Sequence, residues 1–325
     1  MKSLLRSYQQ GDDREFHSTA QSIIDDERRK RHDLLADQLE AIMVEPNTKR
    51  RPLQVSSLRP LPKTRDELPL LSIRQPTVSF HDLVLPEPLV EVLDAVLDEF
   101  RQQSALRAHG VAPRSALLFV GPPGSGKSVT AEALAGELGL AVARVQLPTI
   151  VSSYLGETAR NLEQIFDFLR TGAWVLLFDE FDMLGRERSD RSDHGELRRV
   201  VAAMLQGIED IGSDSIFVAT SNHPNLLDSA VWRRFDEVLE FPIPAPLARV
   251  RILELKLRGV RHDVDLKKAA AGMDGFSAAE IEAVCHDAIR LMVRALAKSV
   301  SWEHVAYGIK RQEDRRRTIN GNSPA

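Results

Sequence analysis

Cysteine is nearly absent. Cys285 stands by itself in 325 residues, so no disulfide can close within the chain, and such usage fits a reducing compartment. In a helical pattern it reads as an inert, buried small hydrophobe. Long apolar runs are missing as well. The most apolar stretches, "ALLFV" and "WVLLF", fall far short of the roughly 20 residues a membrane span needs. The opening "MKSLLRSYQQGDDRE" holds no apolar run of signal-peptide length. There is no excess of basic residues: the net charge of −4 argues against a general nucleic-acid-binding surface. No internal repeat and no His-Glu-x-x-His pair of metal ligands occurs. These absences predict a soluble, cytoplasmic globular protein with no membrane partner.

The length allows two or three domains, and the texture changes along it. Residues 1–45 read as a helical region, with Leu34, Leu35, Leu39 and Ile42 at helical spacing and Asp12 or Asp13 able to cap a helix start. Its "ERRKRH" is flanked by Asp25, Asp26, Glu27 and Asp33, the pattern of a solvated helix face. Residues 46–77 carry Pro46, Pro52, Pro60, Pro62, Pro69 and Pro76. Proline lacks a donor and blocks helix, so this segment reads as a linker or strap. Leu89, Leu93, Val96, Leu97 and Phe100 then outline an amphipathic helix. Beyond it, "ALLFV", "VARVQL", "WVLLF", "IFVAT" and "VLEF" alternate with helical segments. Runs buried on both faces and separated by helices predict a parallel sheet in an α/β domain over 78–246. After Pro242, Pro244 and Pro246 only helical patterns remain, predicting a helical domain over 247–312 and a disordered tail over 313–325.

The chemistry concentrates at strand ends. "GPPGSGKS", Gly121, Pro122, Pro123, Gly124, Ser125, Gly126, Lys127 and Ser128, lies between an apolar run and the helical "VTAEALAGEL" that begins at Val129. That is the strand–loop–helix setting of a phosphate-binding loop. Glycines let backbone N–H groups turn toward a polyphosphate, and the helix directs its N-terminus at the anion. Lys127 is placed for the β- and γ-phosphates, and the Ser128 hydroxyl for Mg²⁺. "WVLLFDEFD" puts Asp179 and Glu180 at a strand's carboxyl end, where ligands of such sheets bind. Asp179 can hold Mg²⁺ through water, and Glu180 can polarise an attacking water. "IFVAT" ends in Ser221-Asn222, and an uncharged amide there can orient water or the γ-phosphate without adding negative charge. ATP and Mg²⁺ are the expected cofactors.

With "VSFHDLVL", "SSYLGETARNLEQIF", "ATSNHPNLLDSAVWRRFDEVLEFPIP" and "GFSAAEIEAVCHDAI" beside these motifs, the chain from about 78 to 310 resembles the classical AAA subfamily of the AAA+ ATPases. The resemblance implies a P-loop NTPase AAA+ core with a five-stranded parallel sheet, a small C-terminal helical lid, and assembly into a homo-oligomeric ring, usually a hexamer. It implies that Arg233 and Arg234 act as fingers on a neighbour's nucleotide. It implies that His81, Asp82 and Leu83 contact adenine through backbone groups, and that Ala278 or Ala279 is the small residue of the lid motif. Where the family often has a histidine near the base, Lys256 or a neighbour stands here. Tyr154, Leu155 and Gly156 match a loop facing the ring's central channel. The 77 leading residues are similar to leaders of small bacterial AAA proteins, some of which are paired with a separately encoded subtilisin-like protease.

Two functions share this phosphate chemistry: threading of a polypeptide substrate, and a motor or loader on nucleic acid. The aromatic–aliphatic pair in "SYLGE", the small residue in the lid motif and the lack of a basic winged-helix pattern favour protein remodelling. A third reading is a nucleotide-dependent scaffold that seldom hydrolyses.

Overall fold

The structure is a computed structural model. It describes residues 60–151, 157–184, 207, 214–226, 232–319 and 321, all within the unit Leu53–Ala325. The expected helical region 1–45, the first part of the expected linker, and Tyr154, Leu155 and Gly156 lie outside the described residues.

The expected strands form. They are β2 (Ala116–Val120), β3 (Ala141–Val145), β4 (Trp174–Phe178), β5 (Ile216–Ser221) and β6 (Glu237–Glu240), with β1 (Leu71–Arg74) ahead of them. The sheet order is β1-β3-β4-β5-β2-β6. The five predicted strands run parallel to one another. A sixth was not foreseen: β1 pairs antiparallel with β3, Leu71 opposite Val145 and Arg74 opposite Val142. The linker reading of 46–77 rested on its prolines. Residues 70–75 are proline-free, however, and Leu70 and Leu71 are fully buried, so burial and an open sheet edge draw them in.

Every residue of β2, β4 and β5 is buried, because both sheet faces are covered. Side chains alternate between faces. One face joins Leu118, Ala143, Leu176, Phe178 and Phe217 to Leu162, Ile165, Phe166 and Leu169 of α5 (Glu157–Leu169). The other joins Leu117, Phe119, Val142, Val175, Leu177 and Val218 to two helices. Those helices are α1 (Glu87–Arg101), through Leu89, Leu93, Val96 and Leu97, and α3 (Lys127–Leu138), through Ala131, Leu134 and Ala135. Burying each such leucine contributes about 1.5–3 kcal/mol. Two short helices accompany these: α2 (Gln103–Ala108) follows α1, and α4 (Leu147–Val151) packs Leu147 and Ile150 on the α5 face.

The strands stop after β6, as expected, and four helices follow: α6 (Pro246–Lys256), α7 (Leu266–Ala271), α8 (Ala278–Arg294) and α9 (Trp302–Ile319). They enclose a core of their own around Leu253, Met273, Ile281, Val284 and Val305. The expected disorder from 313 is corrected here, since α9 continues to Ile319. Its Arg316 stacks on Phe276 at 4.4 Å and pairs with Glu280 at 2.6 Å, which holds the last turns down. The segment before α1 joins the two cores: Val84 packs on the helical one and Leu85 on the sheet. Among the described residues no helix is long and apolar enough to cross a membrane.

Candidate active site

In the sheet order, β2 lies between β5 and β6. The chain leaves β2 toward β3 on one side, while β6 closes the other. A crevice opens at such a reversal, at the carboxyl ends of the strands. The loop Gly121–Gly126 starts there, and its backbone explains its glycines. Gly121 has φ +148, and a Cβ on it would strike the Phe241 carbonyl. Gly124 has φ +74, and a Cβ there would lie 2.8 Å from Ser277 Oγ and 3.0 Å from Ala279 Cβ. Gly126, at φ +102, caps α3.

Lys127 is the first residue of α3 and is only 5% exposed. Its ammonium donates to the carbonyls of Gly121 (2.7 Å) and Pro122 (2.9 Å) and to Asn222 Oδ1 (2.8 Å). Burial pulls its pKa below the ordinary lysine value, against the attraction of Asp179 and Asp182. Asn222 is held from behind, its N–H donating to the buried Asp182 carboxylate at 3.1 Å. At the next residue of α3, Ser128 Oγ donates to Asp179 Oδ1 at 2.8 Å. Thr220 Oγ1 donates to the same oxygen at 2.6 Å and accepts from the Glu180 N–H at 3.1 Å. Glu180 has φ 56, a left-handed conformation that non-glycine residues rarely adopt and that tends to cluster at functional sites. Arg144 pairs with Asp179 Oδ2 at 2.5 Å.

Lys127, Ser128, Asp179, Glu180, Thr220 and Asn222 line one end of a cleft of about 330 Å³. The other end is walled by Leu83, Val84, Leu85, Ile252, Leu255 and the Lys256–Glu282 ion pair of 2.7 Å. Asp82 lines the cleft too, with its carboxylate turned onto Ser79 N and Oγ. Those bonds lower its pKa. Pro123, Ser125, Val129 and Ala278 complete the lining; Gly121 and Pro122 instead hold Lys127 through their carbonyls. The sequence readings that converge here are therefore the glycine loop, Asp179, Glu180, Asn222, Asp82, Leu83 and Ala278. Arg233 and Arg234 are exposed, and neither is among the residues lining the cleft. Tyr154, Leu155 and Gly156 lie outside the described residues. Three participants escaped the sequence reading: Thr220, Arg144 and Glu282. Thr220 alternates with Ile216 and Val218 on one face of β5, which was a usable signal. The other two are placed by pairing across elements, which no local pattern reveals.

The residues fit a magnesium–polyphosphate. A buried ammonium and a loop with no room for a Cβ at Gly121 or Gly124 form the cradle. Ser128 and Asp179 offer hard oxygen donors, as Mg²⁺ prefers. Among the described residues no cluster of three or more His, Cys, Asp or Glu could hold a metal by itself, so the remaining ligands would be phosphate and water.

The family model for the "ATPase family associated with various cellular activities (AAA)" matches residues 117–243, and that of the AAA+ lid domain matches residues 263–306. An uncharacterized AAA family ATPase of Sinorhizobium fredii is 41% identical over 302 residues, 92% of this chain and 90% of that protein. The chain belongs to the AAA family of ATPases. It is an ATP-binding ATPase, with the AAA+ core and lid that the motifs implied. Two further relatives place this ATPase among larger proteins. A proteasome-activating nucleotidase of Thermococcus onnurineus is 30% identical over 80% of this chain and 68% of its own length. A cell division cycle protein 48 homolog of Archaeoglobus fulgidus is 32% identical over 70% of this chain. The chain spans 32% of that protein's length.

Proposed function

We propose that this ATPase assembles in the cytoplasm into a homo-oligomeric ring, hexameric as in the subfamily it resembles, and uses ATP hydrolysis to thread and remodel polypeptides. The observation that carries this reading is the similarity to proteasome-activating nucleotidases across 80% of the chain, sheet and lid together. The "SYLGE" loop supports it, because an aromatic ring grips side chains of any sequence at little entropy cost. Any proteolysis would fall to a separate protein, as no His-Glu-x-x-His pair occurs in the sequence.

In the proposed reaction Lys127 holds the β- and γ-phosphates, with the loop N–H groups around them. Ser128, and Asp179 through water, would hold Mg²⁺, which would supply charge neutralisation at the phosphates. Glu180 accepts a proton from the attacking water, and Asn222 orients that water or the γ-phosphate. Val129, Asp82, Leu83 and Ala278 contact the base and ribose. Arg233 and Arg234 serve a neighbour's site.

Tyr154→Ala tests the threading. It should leave ATP hydrolysis and assembly largely intact and stop unfolding of a protein substrate, while Tyr154→Phe should keep it. Unfolding at the parental rate by the alanine form would overturn the reading, as would ATPase stimulation by DNA but not by unfolded protein.

A further inference from the structure

Asp179 carries more partners than a metal ligand needs. Its Oδ1 takes the hydroxyls of Ser128 and Thr220, and its Oδ2 takes the Arg144 guanidinium. The register explains the last contact. Arg144 of β3 lies opposite Leu177 of β4, and Asp179 follows two residues later. Side chains two apart share a face, so Arg144 and Asp179 project on the same side as Val142, Val175 and Leu177. Asp179 is 16% exposed and Arg144 38%. Arg144 is not among the residues lining the cleft. It meets the carboxylate from behind, leaving Oδ1 on the side of Ser128.

We infer that Arg144 is a positioning residue that weakens the hold of Asp179 on the nucleotide's Mg²⁺ and so keeps Mg²⁺–ADP exchangeable. The inference rests on reading Ser128 and Asp179 as the Mg²⁺ ligands. The physics is Coulombic. A cation on one oxygen of a carboxylate draws charge from the other and repels a second cation, and the partly buried position limits screening by solvent. The pair also fixes the rotamer of Asp179. Without nucleotide, Arg144 supplies the compensating charge. With Mg²⁺–nucleotide present, the carboxylate serves both cations.

The test measures binding of a fluorescent ADP to the full chain across a Mg²⁺ series and in EDTA. Arg144→Met should lower the Mg²⁺ midpoint by about fivefold, equal to about 1 kcal/mol for a partly exposed pair. It should slow Mg²⁺-dependent ADP dissociation by a similar factor. Affinity in EDTA should stay within about twofold, because no cation then competes at Asp179. Arg144→Lys keeps the charge and should resemble the parent. A methionine form with an unchanged or raised midpoint overturns the inference, and so does a lysine form that behaves like methionine. Arg144→Gln is read in the same way if Arg144→Met is not recovered folded. Asp179→Asn separates the two claims. If it leaves the midpoint unchanged, the metal-site reading fails. If it raises the midpoint while Arg144→Met does nothing, only the role of Arg144 fails.

Discussion

The backbone N–H of Ala279 donates to the carbonyl oxygen of Gly124 at 3.0 Å. The first turn of the lid helix α8 is thereby bonded to the middle of the phosphate loop, and Ser277 closes over the same glycine. A nucleotide that shifts the loop must therefore shift or strain the lid.

Gly124→Ala probes that contact. The new methyl would need a left-handed backbone, φ +74, and would press on Ser277 Oγ and Ala279 Cβ. The strain and clash should cost about 1–3 kcal/mol and weaken ATP binding. Thermal melts with and without ATP check it. A variant that melts and binds like the parent would show that the lid and loop are not coupled here.

Lys127→Ala and Glu180→Gln should separate binding from chemistry. The first removes the cation bonded to Gly121, Pro122 and Asn222 and should abolish ATP binding. The second preserves shape but makes a poor base. It should still bind ATP and hydrolyse it more slowly by about 10²–10⁴-fold, the usual worth of a positioned base. Filter binding and phosphate release read the two steps. Parental turnover in the glutamine form removes Glu180 from the role of base.

Much of the fold was legible because its core strands are buried on both faces and read as unbroken apolar runs. The glycine loop was legible because backbone geometry restricts residue type. Strand β1 was not, since four residues with only Leu71 well buried give no periodic signal, and the surrounding prolines pointed the other way. The helical end of α9 was hidden similarly. "EDRRR" reads as solvated charge until Glu280 is known to face Arg316. Cys285 is buried, as expected: it is 1% exposed, and burial pushes its thiol up to about 12.

Acid should loosen the contact between α9 and α8. The Arg316 guanidinium holds the Glu280 carboxyl at about 2, below its ordinary 4.5, with help from hydrogen bonds from Ser277. A depressed carboxyl pKa stabilises the fold above the ordinary value, and that stability is lost as pH falls through the folded one. The stability difference between the parent and Arg316→Ala should therefore be constant above about pH 5 and shrink between about 4.5 and 2. At neutral pH it should be within about 1 kcal/mol from the ion pair, plus lost stacking on Phe276. Urea unfolding at several pH values measures it. A difference that grows on acidification would contradict the assignment.

The proposed fingers give the last prediction, which turns on where Phe235 sits. Phe235 is buried, stacked 5.7 Å from Phe217 and edge-on to Phe181 at 6.2 Å. Its N–H donates to Trp232 O at 3.3 Å. This anchor fixes the turn that carries Arg233 and Arg234 on the surface, outside the lining of the chain's own cleft. On the proposed reading, cations placed away from the chain's own cleft act on the nucleotide of a second copy. Arg234→Ala should therefore leave ATP affinity of the isolated subunit within about twofold and suppress ring hydrolysis, by as much as 10³–10⁵-fold if it alone stabilises the transition-state charge. Arg233→Ala is measured beside it, because the exposed pair does not rank itself. Mixing Arg234→Ala subunits with Lys127→Ala subunits should restore part of the activity. Each Lys127→Ala copy offers an intact finger to an Arg234→Ala copy with an intact phosphate site. Recovery should track the fraction of such junctions as the mixing ratio varies. Mixed rings that assemble yet stay inactive at every ratio would exclude action across the interface.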